Sequence, residues 1–253
     1  MLVGPGETET TTEIYQGTNL LDNILKARNN YIEQKNLQYS NNVNYQYRPS
    51  SKMQFSFSAD WTHFDGKARC EQPNEYFSAT NMPIRSDLFY SEPDKDIDIY
   101  ALLADYKYNP NAQNEILAGV KTTLINSDNT FLFKKNGAVD TQRSNNFYYE
   151  EKNLEAYAQY THTWNKIELS AGLRMEYMHT YNRLKSQTNQ DSETNTQSHF
   201  RLFPNLSASY TINEKSKIAL LYSRRQDKPR YEDLNPFEYL LDELTYWKGN
   251  PFL

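Results

Sequence analysis

The sequence predicts an all-β chain: an antiparallel up-and-down transmembrane β-barrel segment of about eight strands. Three observations predict it. Long stretches alternate apolar and polar residues, each about the 9–11 residues a tilted strand needs to cross a bilayer, where soluble strands usually run about 5–6. Short turns and long polar connections alternate between these stretches, the asymmetry of membrane barrels. Aromatics are also abundant, with 21 Tyr, 12 Phe and 3 Trp in a chain of mean hydropathy -0.89. Amphipathic rings are what bilayer interfaces collect.

Residues 1–37 are polar and are assigned to an extracellular loop or the end of a preceding strand. Within them Leu20, Leu21, Ile24, Leu25, Arg28, Tyr31 and Ile32 fall at helical spacing, which suggests a short loop helix or one lying on the membrane surface. Residues 38–226 are read as four hairpins. In the first, Tyr39, Val43, Tyr45 and Tyr47 lead through Arg48–Lys52 to Met53, Phe55, Phe57, Ala59 and Trp61. An irregular stretch is expected over about 64–95, with three prolines and Cys70. The second hairpin runs Ile97–Tyr108, turns at Asn109–Ala112, and returns as Ile116–Ile125. A polar connection, 126–147, leads to the third, whose arms Leu154–Trp164 and Ile167–Tyr177 meet at Asn165 and Lys166. After a polar segment, 182–198, the fourth pairs Phe200–Ile212 with Lys217–Arg225. Aromatics are expected as two girdles: Tyr45, Tyr47, Tyr106, Tyr108 and Trp164 toward the turns, and Trp61, Phe64, Tyr177 and Tyr181 toward the loops.

This topology places both ends on the long-loop side, and neither end is a closing strand. Edges left open would strand N–H and C=O groups in lipid at several kcal/mol each, so the sequence reads as an interior piece of a larger barrel. Residues 1–6 show no export signal, so for an outer-membrane protein the true N-terminus is expected to be missing from this sequence.

Composition excludes other classes. No apolar run approaches the roughly 20 residues of a membrane helix. Net charge is -5, and no basic cluster exceeds a pair, which excludes a nucleic-acid partner. Cys70 is the only cysteine and forms no internal disulfide.

The C-terminal stretch carries the most specific motif: Tyr222, Ser223, Arg224 and Arg225 end a strand, followed by Pro229, Tyr231, Leu234, Asn235, Pro236 and Phe237, then Gly249, Asn250, Pro251 and Leu253. With Asp96–Tyr100 and Arg143–Asn145 as weaker matches, the chain from about residue 38 resembles the barrel of TonB-dependent receptors, particularly the branch common in Bacteroidetes. The resemblance implies a 22-stranded barrel in the Gram-negative outer membrane, with residues 227–253 as an extracellular loop. It also implies a plug domain and remaining strands missing from this sequence, TonB acting through that missing part, and a small nutrient ligand such as a siderophore, glycan, cobalamin or peptide. The motif itself is read as loop-shaping: prolines fix φ and end strand pairing, Asn-Pro and Gly-Asn-Pro form turns, and Arg224 or Arg225 is placed to reach Asp227, Glu232 or Asp233.

No catalytic constellation is found. His63, His162, His179 and His199 lack metal-ligand spacing. Asp94, Asp96 and Asp98 share a strand face, which is read as hydrated lumen rather than a calcium site. No nucleophile-elbow, zincin or phosphate-loop motif occurs, so no enzyme activity, cofactor or metal is expected. Two other architectures make distinct structural demands. A small self-closed barrel, serving as adhesin, anchor or enzyme, would pair the strand near Val43 with that near Leu220. A soluble sandwich would bury Phe55, Phe57, Leu169 and Leu173 against a second sheet.

Overall fold

A computed structural model describes residues 6–16, 18–186 and 192–251. They form one antiparallel sheet and a C-terminal strap. The sheet contains β1 (Gly6–Gln16), β2 (Asn19–Ser50), β3 (Met53–Phe77), β4 (Pro83–Asn111), β5 (Asn114–Lys135), the two-residue β6 (Ala138–Val139), β7 (Asn145–Trp164), β8 (Ile167–Ser186), β9 (Ser192–Asn213) and β10 (Ser216–Ser223). Each long strand pairs with its neighbours in chain order, from β1 to β10, with β6 appended to β5. The strap carries α1 (Tyr231–Leu234) and a small pair, β11 (Tyr239–Leu240) with β12 (Tyr246–Trp247).

Four short turns lie at one end, where Ser50 pairs with Met53, Asn111 with Asn114, Trp164 with Ile167 and Asn213 with Ser216; the close pairing of Gln16 with Asn19, between β1 and β2, lies at the other. Asn165 turns the third hairpin with a φ of 46°, a left-handed conformation that asparagine tolerates. In the half nearest these turns, registration sets apolar side chains beside one another across the sheet. One row runs Tyr45, Phe57, Ala104, Val120, Ala156, Met175 and Leu202. Their neighbours, one residue nearer the turns on each strand, form a mostly polar row on the opposite face: Gln46, Ser56, Asp105, Gly119, Tyr157, Arg174 and Phe203. The apolar face is open. Val43 is 68% exposed and Leu206 52%, so this surface meets a solvent other than water. It is the lipid belt that the alternation predicts.

The sandwich reading fails on the same observation. Phe57, Leu169 and Leu173 are exposed, and among the described residues the only other sheet is the two-residue pair β11–β12. The self-closed reading lacks its signature as well: β1 and β10 end the sheet's path, and β2 pairs with β1 and β3, not β10.

The strands extend much further than predicted. β2 has 32 residues and β4 has 29, two to three times a bilayer crossing. The helix expected before residue 37 is replaced by strand in β1 and β2. The irregular stretch over 64–95 is mostly strand, in β3 and β4, and much of 126–147 belongs to β5 and β7. Prolines enter where the ladder lets them. Pro93 pairs with Phe131 of β5 but lies in a gap of the β3–β4 register, between Lys67↔Asp94 and Cys70↔Ser91. Pro73 similarly pairs with Leu88 and faces a gap in β2–β3. A residue with no N–H can sit in a strand only where no partner asks for one. A bulge between Tyr31 and Glu33 then swaps the faces of β2.

Two orientations differ from expectation. Phe64 points inward, between Gln38 and Ile97, and so does not join the girdle of Trp61, Tyr177 and Tyr181. Asp94, Asp96 and Asp98 share their face with Tyr100, which pairs with Trp61 on the belt side. They therefore point outward, above the belt, and not into the lumen.

Candidate functional site

In the half of the sheet furthest from the short turns, the apolar surface lies on the other face. Phe89 and Phe131 of β4 and β5, Phe133, and Phe147 and Tyr149 of β7 all point inward and are buried. The strap covers them. Phe237 is 0% exposed, with its ring centroid 5.3 Å from that of Phe131, and Leu234, Tyr239 and Leu240 pack around the cluster. Burying one phenylalanine supplies about 1.5–3 kcal/mol, which makes Phe237 the strap's principal anchor.

The C-terminal motif shapes this anchor. The Asn235 side-chain oxygen accepts the Phe237 N–H at 3.0 Å. The N–H of Gly249 donates to the Asn235 carbonyl at 2.8 Å, and that of Asn250 to the Asp233 carbonyl at 2.7 Å. The two halves of the motif are therefore one closed loop. Gly249 is required by this approach, because a Cβ there would stand 2.5 Å from the Asn235 oxygen. Asn235, Pro236 and Phe237 are buried, whereas Pro229 is exposed and Pro251 half-buried. The Pro251 carbonyl accepts the Asn182 side-chain N–H at 2.9 Å. Tyr231 begins α1; Leu253 lies outside the described residues.

Polar contacts fasten the rest of the strap to the wall. The Leu241 carbonyl accepts from Gln72 Nε2 at 2.8 Å and Asn29 Nδ2 at 3.1 Å. Asp242, buried, accepts from the Thr12 hydroxyl at 2.6 Å. Lys135 Nζ bridges Asp87 and Glu243, each at 3.2 Å, and Arg85 reaches Glu243 at 2.9 Å. The Asn136 amide, with Lys135 and Arg85 beside it, holds the Asp87 carboxyl below the usual carboxylate range, while burial pushes Glu243 up. Lys228 Nζ joins Glu176 at 3.2 Å and Glu151 at 3.6 Å. Arg224 or Arg225 is expected from the sequence to reach Asp227, Glu232 or Asp233, but both are exposed, and neither pairs with an acid among the described residues. Sequence reading missed Lys228 because its partners lie far upstream, in β7 and β8.

Two cavities remain between strap and wall. One, of about 300 Å³, lies against β2–β5 beneath Glu238, Tyr239 and Leu240. The other, of about 470 Å³, is more apolar, with Phe64, Ile97, Ile99 and Ile125 on the wall and Lys228, Pro229 and Leu234 on the strap. Cys70, lining the first, is buried, and burial pushes its thiol up to about 11.

On the outward face, His63 Nδ1 lies 3.2 Å from Asp98 and 3.9 Å from Asp96. Asp98 also accepts the Trp61 indole N–H at 3.0 Å, so the tryptophan and histidine already engage it. His162 contacts Asn114, His179 contacts Ser198 and His199 contacts Gln197. The four histidines are not brought together.

The model of the "Outer membrane protein beta-barrel family" matches residues 48–253. Among solved structures, the chain is similar to the ferric yersiniabactin uptake receptor FyuA from Yersinia pestis, at 11% sequence identity and a TM-score of 0.45. That likeness covers 85% of this chain and 43% of the receptor, so the chain spans less than half of that protein's length. No curated protein matches.

Proposed function

We propose a function from one premise: the chain belongs to the outer membrane protein beta-barrel family and resides in the outer membrane. It forms part of the wall of a TonB-dependent receptor, of the type common in Bacteroidetes, that imports a small nutrient. The observation that carries this reading is the strap. Short turns of such barrels face the periplasm, which puts the strap and its cavities at the extracellular mouth, on the inner wall, where an incoming ligand arrives. Below them the inner face is polar, as a wetted path must be. Arg174 pairs with Glu155 at 3.1 Å, and Tyr157 hydrogen-bonds Asp105 across Gly119.

The free edges of β2, over residues 33–50 beyond its pairing with β1, and of β10 support the same reading. In lipid their unpaired backbone groups need partners, which the remaining strands of a larger barrel would provide. A plug domain and TonB, acting through parts outside this sequence, would supply gating and energy. The chain is proposed to bind and pass its ligand without transforming it.

The test is a deletion of the full-length gene, with growth scored on a panel of sole iron, cobalamin, peptide and glycan sources. The reading expects loss of growth on one source, restored by the gene and abolished again when TonB is removed. Growth unchanged on every source would contradict it.

A further inference from the structure

We propose that the cavity between the strap and β2–β5 binds a neutral, hydroxyl-rich ring, the sugar unit of a glycan. This rests on the import reading and selects among the nutrient classes that reading leaves open. Four features of the cavity support it.

The wall is built from amides. Asn29, Gln34, Asn36 and Gln72 all line it, and an amide offers both a donor and an acceptor, which adjacent hydroxyls on a sugar ring require. Some polar groups are uncommitted. The side chains of Tyr31, Gln34 and Ser91 make no hydrogen bond among the described residues, although each lines the cavity. Others are fixed in orientation, since Gln72 and Asn29 are pinned by the Leu241 carbonyl.

The apolar portion is aromatic. Phe89, Phe131 and Phe133 line one side, their rings packed on one another and on Phe237, with Tyr239 on the strap, so the cavity has an apolar wall beside its amides. An apolar lining with a few placed polar groups is the general form of a ligand site.

Charge is balanced. Lys95 and Glu238 contribute one of each sign, and Glu238 is already shared with Lys248 at 3.1 Å and Arg143 at 3.7 Å. The Lys67 side chain points to the outward face, where it pairs with Asp94 at 3.5 Å. Among the described residues, an anionic ligand would find one cation here without an ion pair, Lys95.

Size points the same way. At about 300 Å³ the cavity is at the low end for ligand sites, which suits a small ring and not a bulky chelate.

The experiment uses purified full-length protein in detergent, applied to an array of neutral and acidic oligosaccharides and titrated in parallel with a ferric hydroxamate siderophore. Saturable binding of at least one neutral oligosaccharide is expected. Gln34→Leu combined with Ser91→Ala should weaken it at least ten-fold, while heat-modifiable gel migration, which reports the folded barrel, stays unchanged. Absence of any neutral-glycan binding, binding of the siderophore alone, or glycan binding indifferent to both substitutions would overturn the assignment. Failure of the two proposals is separable. A glycan bound through these residues but not accumulated by cells removes the import reading and keeps the site. Import of a siderophore without glycan binding does the reverse.

Discussion

The two halves of this sheet are inverted with respect to each other. Near the short turns the apolar side chains point outward and are open, as at Val120 and Leu206. In the far half they point inward and are closed, as at Phe131, Phe147 and Phe237. The same strands carry both arrangements. β4 turns Leu102 outward near the turns and Phe89 inward at its far end, an odd number of steps apart along the strand. The backbone alternates faces in the same way throughout. What changes is the medium outside, hydrocarbon in one half and water in the other. Apolar groups go to whichever side holds no water.

The comparison can be broken most severely at the strap. Phe237→Ala should cost about 3–5 kcal/mol of strap docking. Amide hydrogen exchange over 224–251 should accelerate while the strands near the turns keep their protection. Equal acceleration in both halves would mean that they are not independent.

The next effect belongs to the belt. Val120→Arg places a cation at mid-belt and should destabilise the folded barrel by about 2–4 kcal/mol in reversible urea unfolding from vesicles. Thr123→Arg, on the lumen face of the same strand, should cost far less. Similar losses from both would contradict an outward lipid face.

A smaller effect is expected at Gly119. A Cβ there would stand 2.5 Å from Asp105 Oδ1 and the Tyr157 ring, so Gly119→Ala should cost about 1–3 kcal/mol by overpacking. Adding Tyr157→Phe, which removes the hydroxyl from that contact, should recover part of the loss in the same unfolding assay.

Acid should loosen the strap through Asp87. Its carboxyl is held below the usual range, chiefly by the Asn136 amide. Its contribution is therefore present above the ordinary aspartate value of about 3.9 and is lost as pH falls through the lowered value. Glu243, pushed up by burial, has the opposite sign: its contribution is present below the ordinary glutamate value and lost as pH rises through the raised one. Asp87→Asn should abolish the acid limb of strap protection, and Glu243→Gln should flatten the limb above it. Unaltered profiles in both variants would exclude this coupling.

The mildest effect is at Cys70. With its thiol pushed up to about 11, maleimide labelling at pH 8 should run at least about ten-fold slower than at an exposed cysteine. Phe237→Ala, by loosening the strap, should narrow that gap.

These contrasts also explain what the sequence could reveal. The hairpins stood out wherever lipid demands one oily face, as from Val43 to Tyr47 and from Ile167 to Tyr177. Above the belt that demand ends. On β3, Cys70, Gln72 and Asn74 face inward and Arg69, Glu71 and Pro73 outward, so alternation disappears while the strand continues. The segment therefore reads as a loop. Phe64 was assigned to the girdle from its place near a strand end, whereas its even position on β3 puts it inside. The outward face of Asp94, Asp96 and Asp98 follows from the same parity, since each is an even number of residues from Tyr100. The loop-shaping role of Asn235, Pro236 and Gly249 was visible in their turn chemistry. The target of Phe237 was not, because its partners in β4, β5 and β7 are brought together only by the register of the sheet.

The most direct test of the inversion is a nitroxide scan along β4, residues 88–108, of the full-length protein in bilayers, on a Cys70→Ser background. Between Tyr100 and Tyr108 the account predicts oxygen accessibility that alternates with period two and peaks at Tyr100, Leu102 and Ala104. From Asp98 back to Leu88 the outward sites should instead be open to a water-soluble relaxant, with Phe89 shielded from both. Aqueous access at Leu102 and Ala104, or one unbroken oxygen pattern from Leu88 to Tyr108, would contradict it.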